Sequence, residues 1–108
     1  METEKYIEDV KRYDSSVNTA LVEKLVSRLS VVLGNRDAAL VSCGDDSELQ
    51  TVKNSFVKGK LGIDDDEKID AALKAVCEKM SGDKMKSRVT FYYLVAKELG
   101  AEETYINL

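Results

Sequence analysis

Histidine and proline are both missing from the 108 residues of this chain, and cysteine occurs only twice. Without histidine there is no ordinary general base near neutral pH, no residue of the commonest zinc-ligand type, and no Ser/His or Cys/His nucleophilic pair. The lack of proline removes the strongest helix breaker. The first residues, Met1 to Asp14, carry Glu2, Glu4 and Glu8 and no continuous apolar stretch, so no signal peptide or membrane-spanning helix is expected there. No later segment is long and apolar enough either, and a cytoplasmic location with no membrane partner is expected. On that expectation Cys43 and Cys77, whose spacing matches no CxxC or zinc pattern, stay reduced and form no disulfide. A net charge of -4 opposes general attraction to nucleic acid or anionic lipid.

Hydrophobic residues make up 44% and charged residues 33% of the chain, a balance suited to one globular core. The periodicity predicts an all-α, single-domain bundle of about five helices over residues 1–100, with residues 101–108 as a tail that docks through Tyr105, Ile106 and Leu108. A first helix, about Thr3 to Tyr13, sets Tyr6, Ile7, Val10 and Tyr13 on one stripe. Asn18 can cap a second, carrying Leu21, Val22, Leu25, Val26 and Leu29 up to Gly34. Asp37 is read as the cap of a short helical turn holding Leu40 and Val41, with a hairpin around Gly34 to Asp37 as the alternative. Asp45 with Glu48 has the capping-box form ahead of Leu49, Val52, Phe56 and Val57, and Asp64 with Glu67 repeats it ahead of Ile69, Ala72, Leu73, Val76, Cys77 and Met80. A last helix from Lys84 to Leu99, capped by Asp83 and stopped by Gly100, is apolar over most of its circumference and is placed at the centre. Its β-branched and aromatic middle, Val89 to Val95, could pass for a strand by local propensity, but no convincing partner strand is evident.

Several segments together resemble a small bacterial family known as domain of unknown function 2853. They are Val10-Lys-Arg-Tyr-Asp14, Asn35-Arg-Asp37, Thr51-Val-Lys-Asn-Ser-Phe56, Lys60-Leu-Gly62 and Lys84 through Gly100, above all Ser87-Arg-Val-Thr-Phe-Tyr-Tyr-Leu94. The resemblance implies a bacterial, all-helical, cytosolic protein, and it brings no activity, cofactor or catalytic residue.

The acidic runs Asp45-Asp46 and Asp64-Asp65-Asp66-Glu67 lack the alternating ligands and central glycine of an EF-hand loop, so they read as helix caps and no metal is expected. Gly59 to Gly62 and Ser81 to Asp83 match no phosphate-binding glycine motif. No catalytic or cofactor-binding residue emerges, and no cofactor is expected. The function that remains is a non-catalytic helical module presenting a surface to a protein partner or to a second copy of itself. Phe91, Tyr92, Tyr93 and Leu94 are the candidate contacts, because their helix is apolar over a wider arc than a small bundle readily covers. Two alternatives come from other classes. A nucleic-acid-associated protein would use Lys58, Lys60, Lys84, Lys86 and Arg88, and a thiol-dependent enzyme or redox sensor would use Cys43 beside a helix start.

Overall fold

A computed structural model describes residues 2–35, 39–83 and 86–108. Among them, seven α-helices surround one core. They are α1 (Glu2–Lys11), α2 (Thr19–Arg28), α3 (Ser30–Leu33), α4 (Asp46–Thr51), α5 (Asp66–Lys79), α6 (Arg88–Glu98) and α7 (Glu102–Ile106). The fold class expected from the periodicity therefore stands, with more and shorter helices. No described helix is long and apolar enough to cross a membrane.

Helix α6 is the axis of the molecule. All of its residues from Arg88 to Ala96 are buried, and it packs against α1, α2, α5 and α7. A helix apolar on every side finds this environment only when its neighbours cover the whole circumference. It ends in a Schellman turn: Gly100, at φ 65°, donates to Lys97 O at 3.1 Å and Ala101 donates to Ala96 O at 2.8 Å. A positive φ at this position is what glycine supplies without steric cost. The turn sends the chain back as α7, whose Tyr105 is buried.

Two caps behave as expected: Asn18 accepts the Leu21 N–H at 3.2 Å, and Asp45 accepts the Ser47 N–H at 2.9 Å. Others are corrected. Asp65, not Asp64, caps α5 by accepting the Lys68 N–H at 3.2 Å. Glu48 does not close a capping box, because its carboxylate pairs with Arg88. Asp83 does not cap α6, which begins five residues later behind Ser87; its carboxylate receives Arg12 and the Tyr13 hydroxyl instead. The second helix breaks at Leu29 (φ -98°, ψ 9°) into α2 and α3.

Leu40 and Val41 form a strand, β1, rather than the helical turn preferred from sequence. It pairs antiparallel with β2 (Lys86–Ser87) in the register Leu40 with Ser87 and Val41 with Lys86. Arg88 N–H extends the pairing to Ala39 O at 2.8 Å. The proposed cap at Asp37 lies outside the described residues.

Helix α4 runs directly into a π-helix, Val52–Lys58. Gly59 N–H bonds to Asn54 O and Leu61 N–H to Phe56 O, both at 3.0 Å and both five residues back. This wider winding turns less per residue than an α-helix, so Val52, Lys53, Phe56 and Val57 all fall on the buried side. Lys53 is carried inward with them, and its ammonium reaches Asp70 at 3.0 Å.

Cys43 and Cys77 are joined in a disulfide, with Cα atoms 5.9 Å apart. This corrects the expectation of two reduced thiols. Spacing along the sequence could not reveal the pairing, since it arises where the segment after β1 meets α5.

Candidate functional site

A cavity of about 510 Å³ opens where five elements meet. Arg28, Leu29 and Val32 line it from α2 and α3; Ser55, Phe56, Gly59 and Lys60 come from the π-helix and its exit; Tyr92 comes from α6, and Tyr105 and Leu108 from α7 and the residues after it. Its volume is in the range of small-molecule sites.

The apolar floor is aromatic. Phe56 stacks on Tyr92 with centroids 4.1 Å apart and rings inclined at 20°, and Tyr105 tilts against Phe56 at 5.5 Å. The π-helix is what brings Phe56 to this position. At its end, a Cβ on Gly59 would lie 2.6 Å from Ser55 O, so the tight exit that forms this wall requires glycine.

The polar groups fall into two sets. Tyr92 is already satisfied, because Arg88 donates to its hydroxyl at 2.9 Å. The Tyr105 hydroxyl has no hydrogen-bond partner among the described residues. Burial pushes that phenol up, and the positive charge of Arg28 opposes the shift. Arg28 spends one donor on Leu108 O at 2.9 Å. No Asp or Glu side chain lines the cavity.

The residues singled out by sequence sit elsewhere or deeper. Phe91 and Tyr93 are fully buried and Tyr92 and Leu94 nearly so, so the α6 face expected to meet a partner is covered within the chain by α1, α2, α5 and α7. Only Tyr92 touches the cavity. Three of the basic residues already have partners within the chain. Arg88 is buried, bonded to Leu40 O at 3.1 Å and ion-paired with Glu48; Lys58 pairs with Asp66 at 2.9 Å; Lys86 donates to Asp83 O at 2.7 Å. Lys60 lines the cavity, and Lys84 lies outside the described residues. Cys43 carries no thiol in this form because its sulfur is bonded to that of Cys77. Among the described residues no group of three acids or cysteines could hold a metal.

A second polar cluster ties the chain's first turn to α6. Tyr93 donates to Asp14 at 2.6 Å and accepts the Asn18 N–H at 2.8 Å, while Lys97 reaches Asp14 at 2.8 Å. Hydrogen bonds from Lys97 and Tyr93 hold the Asp14 carboxyl below its usual range. Burial, together with the Asp14 charge, pushes the Tyr93 phenol up to about 12 against the opposing Asn18 bond. A phenol driven that way stays protonated at neutral pH and keeps donating to the carboxylate, so the cluster fastens the turn to α6. Because the folded-state carboxyl is depressed, its stabilisation is complete above the unfolded carboxylate pKa and is lost as pH falls through the folded value. Stability to urea should therefore decline from about pH 4 downward, and Asp14→Asn should be less stable than the parent at neutral pH with a shallower acid decline. Parallel acid slopes would refute this assignment.

Sequence reasoning missed the cavity because its walls come from segments far apart in the chain. The adjacent signal it did contain was the cluster Ser55, Phe56, Gly59 and Lys60, in which Phe56 reads as part of an apolar helix face, Gly59 as a helix end and Lys60 as a candidate nucleic-acid contact. No curated protein matches this chain. The family profile described as a protein of unknown function, DUF2853, matches residues 5–103, and the chain belongs to that family.

Proposed function

We propose that the chain is a non-catalytic interaction module and that it presents α3, not α6, to a protein partner. The observation that carries this reading is Val31, a large apolar side chain left 88% exposed. A lone exposed valine would mean little. Here the whole helix, Ser-Val-Val-Leu, contains no buried residue, and Leu108, 45% exposed, is held beside it by Arg28 one turn earlier. Apolar side chains left exposed on such a helix supply the kind of surface an association site uses. The buried Arg88 and the separately paired Lys58 and Lys86 give the nucleic-acid alternative no support. The cytoplasmic location expected from sequence loses the support of reduced cysteines, since disulfides persist mainly in oxidising compartments.

The test compares the parent with Val31→Asp in sedimentation equilibrium over a wide concentration range, and as tagged baits in the cells of origin. Association, with a second copy or a captured protein, should weaken about tenfold or more in the variant while its circular dichroism is unchanged. A monomeric parent that captures nothing, or a partner held equally by Val31→Asp, would overturn the reading.

A further inference from the structure

We propose that the cavity between α2, the π-helix and α7 is a binding site for a small aromatic carboxylate. This goes beyond a surface role for α3 and does not depend on it. Three features define the ligand. The floor formed by Phe56, Tyr92 and Tyr105, with Phe56 4.1 Å from the first tyrosine ring and 5.5 Å from the second, favours a flat apolar body in offset or tilted contact. The charged side chains that line it have one sign: Arg28 and Lys60 are present with no acidic side chain among the lining residues, and a guanidinium is suited to holding a carboxylate through paired N–H donors. Lastly, the Tyr105 hydroxyl, on a residue that lines the cavity, has no hydrogen-bond partner among the described residues. Such a donor is available to a ligand that accepts from it.

The chain itself displays part of the chemistry. Leu108 places an apolar side chain on the cavity wall and a main-chain oxygen 2.9 Å from Arg28 Nη2. An arginine has five N–H donors, so an entering carboxylate can share Arg28 with Leu108 or displace it, while Lys60, which has no partner among the described residues, supplies the second charge. A cation of the same shape would meet two like charges, and a neutral amide would leave both cations without a counter-ion.

Amide-resolved NMR titration of the oxidised full chain with naphthoate, the matched naphthamide and the matched naphthylmethylamine tests the site. Naphthoate should shift amides of the cavity walls, and the amide and amine should bind about tenfold more weakly or not at all. Lys60→Gln and Arg28→Gln should each weaken naphthoate about tenfold, and Tyr105→Phe, which keeps the ring and its packing, by about fivefold. Lys79→Gln, an exposed charge on α5 away from the cavity, should change nothing and serves as the folding and charge control. No shift at the solubility limit of naphthoate, equal affinity for the three probes, or shifts that persist unchanged in Lys60→Gln and Tyr105→Phe would overturn the assignment.

Discussion

Phe91→Ala should lower the unfolding free energy by about 3 to 5 kcal/mol, and Phe91→Ser by at least as much. The ring is fully buried at the middle of α6, between helices on several sides, so truncation removes the transfer energy of a phenyl group and leaves a cavity that a crossed set of helices cannot collapse around. A domain of this size has a total stability of about 5 to 15 kcal/mol, so the serine variant should lose a large share of it. This outcome separates core from interface. An interface phenylalanine would lose association on substitution and keep its fold, and urea denaturation showing less than about 1 kcal/mol of change would return Phe91 to the surface.

Local signals carried much of the architecture. The three-four spacing of Ile69, Ala72, Leu73 and Val76 does mark the buried side of α5, and Lys74 between them is exposed. The apolar breadth of Val89 to Val95 does mark the central helix. Asn18 and Asp45 cap because a short polar side chain before an amphipathic run has free N–H groups immediately ahead of it. What failed depended on partners distant in sequence. The short pairing of Leu40–Val41 with Lys86–Ser87 joins residues far apart in the chain and has no alternating pattern long enough to register. Glu48 and Asp83 satisfied a local capping rule, yet each found a cation from another element, Arg88 and Arg12, and a charge-assisted bond outweighs a backbone cap.

The cavity was illegible for a related reason. Its Phe56 faces Tyr92 only because the backbone winds as a π-helix through Val52–Lys58, and helical periodicity at i, i+3 and i+4 contains no term for that extra residue per turn. Lys53 gives the same lesson from the polar side. On a regular helix it would sit with its solvated neighbours, whereas here it is drawn under the surface, where hydrogen bonding to Asp70 raises its pKa in opposition to burial.

Reduction of the Cys43–Cys77 disulfide should cost about 2 to 4 kcal/mol of stability, because the bond closes a loop with a sequence separation of 34 residues and so restricts the unfolded chain. The expected signature is a lower urea midpoint in the presence of a dithiol reductant, and a Cys43→Ala/Cys77→Ala variant that begins near the reduced value and ignores the reductant. The loss should also be local before it is global. Strand β1 has two residues and one partner strand of equal length, too little to hold the segment from Ala39 to Asp45 by itself. Arg88 bonding to Leu40 O and Glu48 anchors one end of that segment, and the disulfide anchors the other to α5. Hydrogen exchange on the reduced protein should therefore accelerate first at the amides of residues 41–50, with those of α6 still protected at the global level. Uniform acceleration across α6 as well would mean that the bond supports the whole core directly; identical urea midpoints with and without reductant would mean that the two cysteines are not bridged in solution.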